Sequence, residues 1–475
     1  MTTTEAAPRR PSAPAEEGGV LGARYRALTL GIVSVVLLLA FEATAVNTAM
    51  PVAARQLHGL GLYAFAFSGY FTSTLFAMVL AGEWCDRRGP VVPLFAGIGV
   101  FAGGLVVAGT AAGMWMFVGA RAIQGLGGGL VIVALYVVVG RAYPERLRPA
   151  VFAAFSAAWV LPSIVGPVVS GWVTQHLGWR WVFLAVPMLV VLPLVVMGAP
   201  LRRAEREQPP AAGGALDRGR IGRAAMAALG AGLLQYAGQR RDLPGLLPAV
   251  VGAVLLGTAV LRLLPPGTLR GARGLPTLIL LRGVAAGAFF AAESFIPLMM
   301  VTQRHLSPTL AGLTLTSGGL SWALGSWLQG RPAAERHRAG LIRVGLLLTA
   351  LAIGAASLVL VPAVPAWTAA VAWAFGGIGM GLSIASISVL MMKLSPPEAA
   401  GANSASLQMS DALGNVLLTG LAGVLFAGLG GGAVSAVTAA DAGSGARGAF
   451  AAIFLVMTVV ALLGSVLATR VRPRD

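Results

Sequence analysis

Apolar stretches of about 17–25 residues recur along nearly the whole chain, separated by short segments rich in arginine, glycine and proline. Because about 20 apolar residues are needed for an α-helix to cross a bilayer, the pattern predicts an all-α polytopic membrane protein. Fourteen spans are expected, of which the seventh is the shortest and carries Gln235 and Tyr236. Their approximate bounds are 28–50, 62–82, 92–111, 114–140, 151–173, 181–199, 224–238, 245–263, 276–300, 309–328, 341–361, 367–392, 402–428 and 448–469.

The basic residues indicate how these spans are oriented. With the N-terminus inside, 27 of the 34 Lys and Arg residues, Arg282 among them, are assigned to cytoplasmic segments, six to the outside and Arg121 alone to a span. This bias follows the positive-inside rule, so we expect a multi-pass protein of the plasma (inner) membrane with both termini in the cytoplasm. If residues 221–264 crossed the membrane only once, every later loop would lie on the other side. The seventh and eighth spans, which lie in this region, are therefore expected to cross twice or not at all.

Composition excludes several other classes of protein. The chain is 57% hydrophobic and only 11% charged, which is untypical of a soluble domain. The net charge of +17 lies between apolar runs and not on one basic face, so no nucleic-acid partner is expected. One cysteine and four scattered histidines provide neither a disulfide framework nor the spacing of a metal site. No metal and no cofactor are expected.

Internal similarity indicates a duplication. AIQGLGGGLVIVA (122–134) resembles AFGGIGMGLSIAS (374–386) at an offset of 252, and GEWCDR (82–87) resembles GSWLQG (325–330) at an offset of 243. Glu42 and Glu293 correspond at an offset of 251, each in the first span of its half. We therefore expect two six-helix bundles with an inserted pair of helices. The predicted units are a disordered cytoplasmic tail (1–27), an N-terminal bundle (28–199), a basic cytoplasmic loop (200–223), the inserted pair (224–264), a C-terminal bundle (276–469) and a cytoplasmic tail (470–475).

Glu42 lies in the middle of the first predicted span, where a carboxylate costs a few kcal/mol to insert and usually faces protein or water. Arg121 lies in the fourth span and, because it stays protonated, also needs an anion or a watery cavity. A rise of 1.5 Å per residue places the two at similar depth. We therefore expect Glu42 to carry a proton and Arg121 to tune its affinity. The alternative is a static structural ion pair.

The segment between the second and third spans reads GEWCDRRGP (82–90). It resembles the cytoplasmic signature G-x-L-a-D-R-x-G-R of the major facilitator superfamily, except that Trp84 and Pro90 depart from it. The candidate gating residues are Gly82, Asp86, Arg87 and Gly89. In that family the aspartate engages the eleventh conventional span, here beginning near Asn403, and stabilises one access state. The resemblance implies the same role for Asp86.

Three further motifs resemble the fourteen-span drug–proton antiporters of that superfamily. FEATAVNTAMP (41–51) is similar to L-D-x-T-x-V-N-x-A-L-P, with Glu42 at the aspartate position. GARAIQGLGGG (119–129) is similar to R-x-x-Q-G-x-G, and PSIVGPVVSG (162–171) to G-x-x-x-G-P-x-x-G-G. Pro162 and Ser170 replace two of the glycines in the last motif. The candidate residues of this antiporter-motif helix are Pro162, Gly166, Pro167 and Gly171.

Further polar residues in apolar runs are candidates for a substrate cavity. Ser404, Gln408, Asp411 and Asn415 are spaced so that they form one stripe on a helix. Hydrogen bonding between helices is an equally good interpretation of this stripe. The predicted cavity residues are Glu293, Gln408, Asp411, Asn415, Asn47 and Gln124.

The resemblance covers essentially the whole chain and implies the major facilitator fold. It implies a monomeric secondary transporter that exports small amphipathic or drug-like molecules by alternating access, with the proton gradient as its energy source. Proton-coupled uptake, and export of lipids or metabolites, remain alternatives within transport. A polytopic enzyme would need acidic or histidine clusters in sizeable loops, whereas the loops here are short and basic, so no enzymatic activity is expected. A non-transporting membrane sensor is a further alternative.

Overall fold

A computed structural model describes residues 19–207, 217–238, 243–396, 399–431 and 439–471. Over these ranges the chain is almost entirely helical and contains no β-strand. The long helices are α1 (Arg26–Gln56), α2 (Tyr63–Arg88), α3 (Val91–Gly109), α4 (Met114–Ala142), α5 (Arg148–His176), α6 (Arg180–Glu207), α7 (Arg218–Gly238), α8 (Leu246–Leu263), α9 (Leu275–Gln303), α10 (Pro308–Gln329), α11 (Arg338–Ser357), α12 (Thr368–Leu394), α13 (Ala400–Gly428) and α14 (Ala439–Leu467).

Each predicted span overlaps one of these helices, so the all-α prediction is confirmed. Most of the predicted N-terminal tail, the middle of the 200–223 loop and the last four residues lie outside the described ranges. Within those ranges, twelve helices are long and apolar enough to cross a membrane. The two that fall below this level are α7, which corresponds to the short predicted span with Gln235 and Tyr236, and α10. Helix α10 packs along α5 and α12, so its many serine, threonine and glycine residues contact protein where a lone span would meet lipid.

The helices pack in two equivalent sets. In the first, α1 packs against α5 and α6, while α4 packs against α2 and α3. In the second, α9 packs against α13 and α14, while α12 packs against α10 and α11. The remaining pair stands beside them, because α8 packs on α7 and α7 reaches both α2 and α13. The second set therefore repeats the helix neighbours of the first.

Glycines in α4 and α12 show the repeat in detail. A Cβ added to Gly127 would meet Gly97 of α3, and one added to Gly379 would meet Gly345 of α11. Small residues at such positions let two backbones approach closely. The matched glycines are 252 residues apart and their partners 248 apart. The duplication predicted from the sequence is thus present as a duplicated packing arrangement.

The same glycine contacts correct one part of the predicted repeat. Gly129 of α4 lies against Thr74 of α2, and Gly381 of α12 lies against Trp322 of α10. Helices α2 and α10 therefore correspond at an offset of 248, so the pairing of 82–87 with 325–330 at an offset of 243 is wrong by five residues. The offset of 243 came from a match of only one glycine and one tryptophan between the two segments. The contacts between helix backbones give the offset of 248.

The two sets of helices are joined at the end far from the α2–α3 turn and at the middle of α5 and α10, where a Cβ on Gly319 would meet Ser163. Tyr63 Oη donates a hydrogen bond of 2.7 Å to the Ser294 carbonyl, and Arg55 Nη2 donates one of 3.4 Å to the Val301 carbonyl. These residues lie in the halves of α1, α2 and α9 that are far from the α2–α3 turn. We infer from these contacts that a cleft between the two sets opens at the α2–α3 end.

Candidate functional site

A buried ion pair joins the middle of α1 to α4. Arg121 Nη1 donates to Glu42 Oε1 and also to Gln124 Oε1. The two charged side chains are only 4% and 1% exposed, so neither charge is stabilised by bulk water. Opposite charges at this burial stabilise each other only when they are in contact. The structure therefore brings together the two residues that the sequence placed at the same depth.

The surroundings of the pair leave part of its hydrogen-bonding capacity unused. The Arg121 guanidinium lies 4.5 Å from the centre of the Tyr70 ring, a cation–π contact, and Gln124 Nε2 donates to the Gly104 carbonyl at 3.2 Å. Glu42 Oε2 and Arg121 Nε are buried and form no hydrogen bond with the protein. One carboxylate oxygen is thus held by the arginine, while the other could accept a proton without breaking a protein contact.

The proline–glycine face of α5 packs directly on α1 beside this pair. Thr44 Oγ1 donates to the Pro162 carbonyl at 3.2 Å, and a Cβ on Gly166 would meet that same threonine. Ser170 Oγ donates to the Ala45 carbonyl at 2.7 Å. Ser170, which replaces a glycine of the family pattern, therefore supplies a hydrogen bond to α1.

The opposite face of α5 contacts α10 of the other bundle. A Cβ on Gly312 would meet the Pro167 carbonyl, and a Cβ on Gly171 would meet the backbone of Thr309. The motif helix thus links the ion-pair helix α1 to the second bundle. A change in the tilt of α5 would therefore alter its contacts with both α1 and α10.

A second ion pair lies on the other wall of the cleft. Arg282 of α9 contacts Asp411 of α13, with Nε and Nη2 at 2.8 and 2.7 Å from Oδ2, and Nη1 lies 3.3 Å from Ser388 Oγ. Asn415 Nδ2 donates to Asp411 Oδ1 at 3.3 Å. The assignment of Arg282 to a cytoplasmic segment is corrected, because it lies within α9, two turns from its start. An arginine in the apolar window 276–300 was the signal that could have shown this.

The predicted cavity residues differ in their contacts. Asp411 and Asn415 bond to each other, whereas Gln408 of the same stripe is exposed. Asn47 is partly exposed on α1, five residues beyond Glu42. Gln124 is buried and belongs to the Glu42 cluster. The predicted set therefore divides into residues held in networks and residues that face open space.

Glu293 lies in α9 beside the indole of Trp373 from α12, which is its hydrogen-bonding neighbour. Trp373 is fully buried, and its Nε1 approaches the carboxylate without forming a well-aligned hydrogen bond. No described basic residue forms an ion pair with Glu293. The sequence reasoning missed Trp373, although the offset of 252 found for the glycine motif relates it to Arg121.

The α2–α3 turn carries the predicted gating motif. Gly89 ends α2 with a positive φ of 77°, a conformation that favours glycine. Asp86 and Arg87 are exposed, and the described part of α13 forms no hydrogen bond or ion pair with Asp86. Glu83 of the same turn contacts Arg220 of α7 at 3.6 Å. The engagement of α13 by this aspartate stays a prediction.

A family model, Major Facilitator Superfamily, matches residues 32–419. The chain belongs to the major facilitator superfamily. Curated relatives of this chain include the multidrug transporter protein MdtP of Bacillus subtilis, 28% identical over 156 residues, which are 33% of this chain and 29% of the relative. An uncharacterized MFS-type transporter of Mycobacterium tuberculosis is 28% identical over 297 residues, 61% of this chain and 42% of the relative. The chain thus spans less than half of the length of these relatives.

Solved structures of similar fold include a POT family transporter in complex with 5-aminolevulinic acid, with a TM-score of 0.69 and 14% identity over 96% of this chain and 99% of that one. Peptide transporter POT in complex with sulfate has a TM-score of 0.68 and 16% identity over 96% of both chains. At this identity the likeness establishes the fold. The ligands named belong to those proteins.

Proposed function

We propose that this transporter exchanges protons for a small amphipathic or drug-like molecule and exports it across the plasma membrane. The observation that carries the proposal is the Glu42–Arg121 pair, an acid and a permanent cation buried in contact at the middle of the first bundle. Acids in such positions are rarely structural alone, because a membrane interior makes them costly. The likeness to a multidrug transporter is the second support.

The proton would act by changing the charge of this pair. When Glu42 is ionised, Arg121 is neutralised by contact and the cluster is stable without water. When Glu42 takes a proton on its unpartnered oxygen, Arg121 is left with Gln124 and Tyr70 as its main partners. An uncompensated buried cation favours a conformation that admits water or an anion. Proton binding would in this way shift the population between two access states.

The remaining predicted residues take supporting roles in this proposal. The bundles 28–199 and 276–469 would rock against each other, with α5 and α10 in contact at the closed end. Closure of the α2–α3 end would bring Asp86 to the start of α13, where backbone N–H groups favour an anion. We expect the monomer to be the transporting unit, with both termini in the cytoplasm.

Purified protein in proteoliposomes tests the proposal. Under an imposed pH gradient, the wild-type protein should drive transport of a cationic dye against its concentration gradient, and Glu42→Gln should reduce that transport to the level of protein-free liposomes. Glu145→Gln is the matched control, because Glu145 is a 91% exposed acid outside the helices. Wild-type rates in Glu42→Gln would remove Glu42 from the coupling. Reversing the gradient separates export from uptake.

A further inference from the structure

The inserted helix pair borders an apolar groove that lies apart from the Glu42 site. Helix α7 packs against both α8 and α13, so it forms the floor of the groove, and the other two helices form its walls. The groove has a volume of about 660 Å³, within the range of about 300–1,000 Å³ that is typical of sites for small molecules. Small residues leave room for it, among them Ala231, Gly245, Ala249 and Gly420.

The walls of the groove face the bilayer. Leu246 of α8 is 60% exposed on the protein surface, and Leu417 and Leu421 of α13 are 41% and 40% exposed. Helix α8 is the least buried of the twelve apolar helices. In a membrane the medium around these side chains is hydrocarbon. An occupant of the groove must therefore be apolar along most of its length.

One polar group interrupts the apolar lining. Gln235 of α7 is the only polar residue among the described residues that line the groove, and it is 5% exposed. Its Oε1 accepts a hydrogen bond of 2.7 Å from Ser68 Oγ of α2, whereas its Nε2 donates to none of the residues that the structure describes. Nε2 lies against Gly420 on the α13 wall, where an added Cβ would be 3.1 Å away. Because an unpaired donor in apolar surroundings is unfavourable, the groove favours an occupant that brings an acceptor.

The dimensions of the groove match one leaflet of a bilayer. From Leu246 to Leu256 the α8 wall runs for about ten residues, or about 15 Å, which is half of a hydrocarbon core of about 30 Å. Gln235 lies three residues before the end of α7 at Gly238, and this end is the outer one because α7 begins among cytoplasmic arginines. The ester carbonyls of phospholipids lie at the same boundary between the hydrocarbon core and the headgroups.

We propose that this groove binds one phospholipid of the outer leaflet. An acyl chain lies between α8 and α13, and an ester carbonyl accepts a hydrogen bond from Gln235 Nε2. Charged cargo fits less well, because none of the described lining residues is charged. A helix of a second copy, about 10–12 Å across, is too wide for 660 Å³ spread over about 15 Å. The lipid would fill the seam between the inserted pair and the second bundle, and its binding does not depend on the proposed transport function.

Native mass spectrometry of delipidated protein tests this with ester-linked dioleoyl phosphatidylglycerol and its ether-linked analogue, which lacks the carbonyls. The wild-type protein should bind the first ester lipid about three- to tenfold more tightly than the ether lipid. Gln235→Met keeps the size of the side chain, removes the donor and should bind both lipids equally. Ser68 Oγ keeps its hydrogen bond of 2.9 Å to the Ala64 carbonyl in that variant. Ala249→Phe fills the groove and should abolish tight binding of both lipids.

Two control variants should bind lipid as the wild-type protein does. Gln408→Met removes an exposed amide of α13 outside the groove, and Val250→Phe enlarges a 61% exposed residue next to Ala249 that does not line it. Equal affinity of the wild-type protein for the two lipids, or unchanged tight binding in Ala249→Phe, would overturn the proposal. Displacement of the bound lipid by the lipophilic cation tetraphenylphosphonium would assign the groove to cargo and overturn it. A lipid-free dimer that Ala249→Phe dissociates would assign the groove to a second copy and overturn it as well.

Discussion

The two bundles contain the same acid in the first helix of each half and surround it with different chemistry. In the first, Glu42 contacts Arg121, and the pair is almost fully buried. In the second, Glu293 lies beside Trp373 and forms no ion pair with a basic residue that the structure describes. A duplicated scaffold can thus hold a carboxylate in two ways, with a counter-ion from the protein or without one. The helix packing around both is the same, so the chemical difference rests on single side chains.

The largest effect is expected when the arginine of the first site is removed. Arg121→Met should lower the free energy of unfolding by about 3–5 kcal/mol, because it leaves the buried Glu42 carboxylate uncompensated. Unfolding in mixed detergent and SDS micelles measures this. The double variant Glu42→Gln with Arg121→Met should recover part of the loss, since no unpaired charge remains.

The same position in the second bundle should respond less. Trp373→Phe keeps the stacked ring and removes an N–H that approaches Glu293 without a well-aligned hydrogen bond, so it should cost about 1–2 kcal/mol, mainly from lost packing. Equal or greater destabilisation by Trp373→Phe than by Arg121→Met would contradict the distinction between the two sites.

The shared scaffold predicts equal effects in both halves. Gly127→Ala and Gly379→Ala each place a Cβ against a backbone carbonyl of the neighbouring helix, and each should cost about 1–3 kcal/mol. Gly103→Ala is the control, because its Cβ would meet nothing within 4 Å. A large effect in one bundle with none in the other would show that the packing is not equivalent.

The smallest expected effect concerns the pair at the mouth of the cleft. Asp411 and Arg282 are 20% and 14% exposed, so solvent screens the charge that Asp411→Asn leaves behind. The variant should lose about 1 kcal/mol in the same unfolding assay. A loss as large as that of Arg121→Met would indicate that this pair, too, is sealed from water.

The helices were predictable because each apolar window is long enough to span a bilayer. The similar depth of Glu42 and Arg121 followed from the helical rise per residue. The partner of Asp411 was missed because Arg282 was counted with a basic loop. Depth alone also cannot tell which face of a helix a side chain occupies, so the division of Gln408 from Asp411 required the packed structure. The engagement of α13 by Asp86 was expected from the family resemblance alone, and no spacing in the sequence determines it.

Proton release on ligand binding tests the central claim most directly. Purified protein in weakly buffered detergent solution, with a pH indicator dye, is mixed with tetraphenylphosphonium near neutral pH, and bound ligand is measured in the same samples. The account predicts that the wild-type protein releases protons in proportion to bound ligand, and that Glu42→Gln binds the ligand without releasing them. Equal proton release from Glu42→Gln and the wild-type protein would contradict the claim that Glu42 exchanges its proton for cargo.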